Sequence, residues 1–67
     1  MSVARVTEIT CSSPKSFDEA MRDGLDRANK TLKNVSGAWI KSHEVVTKNG
    51  KITEYRVRMK VTFVLND

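Results

Sequence analysis

Between residues 55 and 65 the chain alternates in character: Tyr55, Val57, Met59, Val61, Phe63 and Leu65 hold the odd positions, with Arg56, Arg58, Lys60 and Thr62 between them. A period of two belongs to a strand with one buried face. Upstream lies Asn49-Gly50, the dipeptide that suits a two-residue type I′ turn, since both central residues need positive φ. Residues 38–65 therefore read as one β-hairpin, with Lys48 paired to Lys51. Carried back along the first arm without a bulge, this register sets Ala38 opposite Val61, Ile40 opposite Met59 and Ser42 opposite Val57 on the apolar face. The other face then receives Trp39 opposite Lys60, Lys41 opposite Arg58 and His43 opposite Arg56. The single tryptophan thus falls on the basic side of the sheet.

Sixty-seven residues make one domain, residues 1–67, near the lower size limit for an unaided core. Below roughly 70 to 80 residues a core rarely supplies more than about 3 to 5 kcal/mol, and disulfides, metals or association make up the rest. Cys11 is the only cysteine and His43 the only histidine, which excludes an internal disulfide and a Cys/His zinc site. Association is the remaining route. The first residues lack a signal-peptide apolar run and no stretch has the length of a membrane span, so the reading is a cytoplasmic protein without membrane contact. A net charge of +4 suits an anionic partner, although lysines on solvated faces explain much of it.

Along the chain, residues 3–10 are β-branched and roughly alternating, which predicts a first strand. Residues 11–15, with Pro14, predict a break. Ser16 and Glu19 have capping-box spacing, so a helix starts there. Phe17, Ala20, Met21, Gly24, Leu25, Ala28, Leu32 and Val35 form its apolar stripe. Gly24 costs a helix about 1 kcal/mol against alanine, and a close approach to the sheet would explain it. The fold class is α+β: a β-α-β-β unit with a three-stranded antiparallel sheet covered by a helix on one face. The uncovered face, with Trp39, Val45, Ile52 and Val64 among its charges, is expected to meet neighbouring subunits.

No nucleophile has a partnered base, and no phosphate-binding glycine motif occurs, so the chain is not expected to be an enzyme. Glu8, Glu44, Glu54 and Asp67 are scattered carboxylates that could meet a cation at an oligomer axis, but they form no metal motif. What remains is Trp39 with His43, Arg56, Arg58 and Lys60. An indole can stack on a planar ligand while cations hold its polar edge, or it can fill a subunit interface. A single aromatic on that face is too few for a single-strand nucleic-acid binder, so nucleic acid is not an expected partner.

The hairpin from Tyr55 to Leu65, its Asn-Gly-Lys turn, Ala28-Asn29-Lys30-Thr31-Leu32, Ser13-Pro14-Lys15-Ser16-Phe17 and Glu8-Ile9 together resemble the dodecin family over nearly the whole chain. The resemblance implies a hollow homododecamer with helices outside, and flavin (riboflavin, FMN or FAD) bound in pairs at subunit interfaces for storage or buffering. It implies a stacking tryptophan on the second strand and a glutamine on the third. Counted back from Gly50, the tryptophan position is Gly37, with Trp39 about 7 Å further along the same face. The glutamine position is Arg56, which donates but cannot accept hydrogen bonds. The expected flavin contacts are therefore Trp39, Arg56, Gly37, His43 and Arg58. The alternative reading is a dodecin-like shell that binds no flavin and holds another small ligand or cation, or is purely structural.

Overall fold

The computed structural model describes residues 3–65. It contains β1 (Val3–Ser13), α1 (Phe17–Thr31), β2 (Val35–Lys48) and β3 (Lys51–Leu65). The sheet order is β1-β3-β2, both pairings antiparallel, so the alternating strand lies at the centre. Asn49 and Gly50 have φ of 52° and 77°, the left-handed values that a type I′ turn needs.

β1 runs three residues past the predicted end, because Cys11, Ser12 and Ser13 continue to pair with Val57, Arg56 and Tyr55. Small side chains at Cys11 and Ser13 fit under the helix, and both are buried. The Ser13 hydroxyl accepts from the Lys15 amide at 3.0 Å, which satisfies it inside and turns the chain. The helix begins as expected, with the Ser16 hydroxyl accepting from the Glu19 amide at 3.0 Å. It ends earlier than its apolar stripe suggested. Leu32 is the cap, Asn34 takes φ 61°, and Val35 opens β2 instead of closing the helix.

Val57, Met59 and Val61 are fully buried, each worth about 1.5 to 3 kcal/mol of transfer free energy. Val57 and Met59 cluster with Cys11 and Ala20, and Ile9, Phe17, Met21 and Leu25 pack against that cluster. At Gly24 the helix lies close against the sheet. A Cβ there would overlap Cys11 Sγ and lie 2.9 Å from Met59 Cε. Gly24→Ala is therefore expected to lower stability by about 1 kcal/mol or more, despite the better helix former, because overpacking costs about 1 to 3 kcal/mol. Adding Cys11→Ala should restore part of the loss in urea melts. Strict additivity of the two changes would contradict the close contact.

The predicted hairpin register holds at both ends and slips by one in the middle. Ala38, Trp39 and Ile40 face Val61, Lys60 and Met59 as expected, and so do Lys48 and Lys51. Between Ile40 and Ser42 an extra residue, Lys41, bulges from β2, and between Val46 and Thr47 the extra residue is Thr53 on β3. One insertion on each strand cancels the other. A third irregularity sets Ser36 apart near the start of β2. The Ser36 and Thr53 hydroxyls each donate across the strand pair, to the Thr62 carbonyl at 3.4 Å and the Val46 carbonyl at 3.1 Å.

The slip changes which face residues 42–46 occupy. Ser42 pairs with Arg58 rather than Val57, His43 with Val57 rather than Arg56, and Val45 with Tyr55. His43 and Val45 thereby join the helix side, while Ser42 and Glu44 move to the open side. Beyond the Ser13–Tyr55 pair the hairpin continues as two strands alone, within a molecule 51 Å long. Val45 and Ile52 remain 42% and 51% exposed on this arm. A two-stranded ribbon is marginal in water, so the arm favours cover from another surface.

Candidate functional site

The open face of the sheet is built from residues that pair across all three strands. Glu8, Lys60 and Trp39 form one row, Thr10, Arg58 and Ser42 the next, and Ser12, Arg56 and Glu44 a third. Val6, Thr62 and Gly37 lie on the other side of the tryptophan row. Four of the five expected contacts, Gly37, Trp39, Arg56 and Arg58, therefore share this face. His43 does not, because the Lys41 bulge turns it over.

Trp39 is 50% exposed, with Lys60 Nζ 6.0 Å from its ring centroid. That is the outer limit of a cation–π contact, and the exposed half of the residue is open to a stacking partner. At Gly37 no atom lies within 4 Å of an added Cβ, so the position expected to carry the family's aromatic is empty space. The bulged Lys41 reaches over β3 to Glu8, Nζ to Oε1 at 3.0 Å. This hydrogen bond, supported by the charges of Lys41, Lys60 and Arg58, holds the Glu8 carboxyl below its usual range.

The arginines are not free cations. Glu44 Oε1 lies 2.7 Å from Arg58 Nη1 and 3.8 Å from Arg56 Nη1, and Glu54 Oε2 lies 3.5 Å from Arg56 Nη2. Glu44 came onto this face with the same bulge that removed His43. The face expected to be basic is thus a mesh of alternating charge. The carboxylates considered for a cation, Glu8, Glu44 and Glu54, are each engaged by a lysine or arginine; Asp67 lies outside the described residues. Among the described residues, no three His, Cys, Asp or Glu side chains group to hold a metal ion.

A second concavity on the helix side was not foreseen. His43 stacks on Phe17 with ring centroids 4.6 Å apart and planes 14° from parallel, and Tyr55 meets Phe17 edge-on at 5.2 Å. Phe17 and His43, with Asp18, Met21, Ile40 and Val57, line a groove of about 250 Å³. The helix rests mainly over β1 and β3, so the β2 side of this layer stays open. Only the bulge would have indicated this groove, and neither glycine nor proline marks it in the sequence. Cys11 is buried, and that burial pushes its thiol pKa up, with Asp23 adding to the effect. No described helix is long and apolar enough to cross a membrane.

Compared with known protein families, residues 3–66 match the sequence model described as Dodecin. Among solved structures, the chain is similar to dodecin from Streptomyces davaonensis, with 35% identity, a TM-score of 0.93, and coverage of 98% of this chain and 97% of that one. A mutant of Thermus thermophilus dodecin superimposes with a TM-score of 0.94 at 25% identity, each chain covered in full. The calcium dodecin of Mycobacterium tuberculosis, described as calcium-chelating with a novel calcium-binding site, has a TM-score of 0.84 at 26% identity, covering 96% of this chain and 91% of that one. No curated protein matched.

Proposed function

Because the chain belongs to the dodecin family, we propose that it assembles with copies of itself into a hollow dodecamer and binds flavin at subunit interfaces, for storage rather than catalysis. The observation that carries this reading is the half-exposed indole of Trp39 on an uncovered sheet face, beside Lys60. Stacking on such a platform contributes about 1 to 3 kcal/mol per ring. Arg56 and Arg58, two and one rows away, supply donors for the ring carbonyls, and Gly37 leaves room beside the indole. Self-association is supported by the small core and by the apolar residues left on the hairpin arm.

Titrating the protein with riboflavin should quench Trp39 fluorescence, and Trp39→Ala should weaken flavin binding roughly 10-fold or more, as loss of one stacked ring implies. Unchanged tryptophan emission at saturating riboflavin would refute flavin binding at this face.

One observation favours a second reading, a shell that binds no flavin. Arg56 and Arg58 are already engaged by Glu44 and Glu54, so their donors are partly occupied. The cargo would then be another small ligand or a cation. A cation site would have to form between subunits, since Glu8, Glu44 and Glu54 are paired to basic side chains within one subunit. Native mass spectrometry separates the two, as a flavin adduct supports the first and a different adduct or none the second.

A further inference from the structure

The Lys41 bulge has a chemical result on the open face: it sets a carboxylate opposite an arginine. Without the slip, Arg56 would face His43; with it, Arg56 faces Glu44. Glu44 Oε1 then sits between two guanidiniums, 2.7 Å from one and 3.8 Å from the other. Although the Glu44 side chain is 40% exposed, this oxygen is enclosed and has no aligned hydrogen bond. The contact is one of charge, not the two-pronged fork that carboxylates and guanidiniums prefer. Each guanidinium has five N–H donors, and few are used here.

Arg56 and Arg58 together therefore make an anion position that the chain fills with its own side chain. We propose that Glu44 is a specificity-determining residue of the open-face site: it competes for the anion position between Arg56 and Arg58 and directs the site toward planar rings without negative charge at that edge. This rests on the reading of the face as a planar-ligand site. A phosphate or carboxylate on the ligand near the arginines must displace Glu44 or suffer its repulsion, whereas an uncharged ring edge meets the guanidinium donors without that repulsion.

The test uses the intact assembly and two probes. Inorganic phosphate, followed by calorimetry, reports on the anion position alone. Glu44→Gln keeps the side-chain shape and should bind phosphate about tenfold more tightly than the unaltered protein, since phosphate then makes charge-assisted bonds to both guanidiniums without displacing or facing a carboxylate. Adding Arg56→Gln should erase that gain. Equal phosphate affinity with and without the Glu44 carboxylate overturns the proposal, however flavin behaves.

Riboflavin and FMN, alike except for the phosphate, form the second arm. The affinity ratio should shift toward FMN in Glu44→Gln, and an unchanged ratio with both flavins bound also overturns the proposal. If phosphate binding is gained while neither flavin binds, the anion position stands and the flavin reading falls.

Discussion

Cutting Met59 back to alanine is expected to remove most of the subunit's stability, a loss of about 2 to 5 kcal/mol. Met59 is fully buried at the centre of the middle strand, paired with Ile9 on one side and Ile40 on the other, with its methyl next to Gly24. One side chain thus joins all four elements. Against a core that supplies roughly 3 to 5 kcal/mol, such a cavity leaves little margin. Urea denaturation followed by circular dichroism would measure it, and Met59→Leu, which nearly conserves volume, should cost less than about 1.5 kcal/mol. A loss of under about 1 kcal/mol for Met59→Ala would contradict the packing described. Association adds stability by mass action, so both proteins should be compared at one concentration.

The second large effect is a gain. Gly37→Trp is expected to raise riboflavin affinity by about tenfold to a hundredfold, in line with one added stacking surface. Gly37 lies on the same face as Trp39, one pleat away, opposite Thr62. Its backbone is outside the left-handed region and its Cβ position is open, so a side chain can leave the backbone there without a clash at its first atom. Strand propensity also favours tryptophan over glycine, so the melting temperature should not fall. Flavin fluorescence titration reads the affinity. An unchanged or weaker affinity in a folded, assembled variant would show that an aromatic at position 37 does not complete a flavin site here.

The architecture was legible because three strong signals agree: the odd-numbered apolar run in β3, the Asn49-Gly50 turn and the Ser16 cap. The β1 end was misjudged because Cys11 and Ser13 look like loop residues, yet small side chains are what a strand needs beneath a close helix. Val35 fits the spacing of the helix stripe, although the helix was expected to end over residues 34–37, and it opens β2 instead. Asn34, one of the few non-glycine residues that enter the left-handed region readily, is the local signal that ends the helix. The site was harder to read. Trp39 precedes the Lys41 bulge and landed on the expected face, while His43 and Val45 follow it and landed on the opposite one. A bulge formed by lysine leaves only the adjacent polar pair Lys41-Ser42 as a trace, and that is too weak to displace a regular register. Glu44 was therefore missed as the partner of Arg56.

The sheet order also governs how the chain folds during its synthesis. β3 lies between β1 and β2 but is the last of the four elements to be translated. As it leaves the ribosome, β1 has no hydrogen-bonding partner, and its pairing with β3 must close a loop that spans nearly the whole domain. The helix can form early, but its apolar stripe has no complete surface to rest on until Val57, Met59 and Val61 emerge. Folding is therefore expected to be nearly all-or-none and to follow translation, so truncated nascent chains that stop before β3 should remain protease-sensitive.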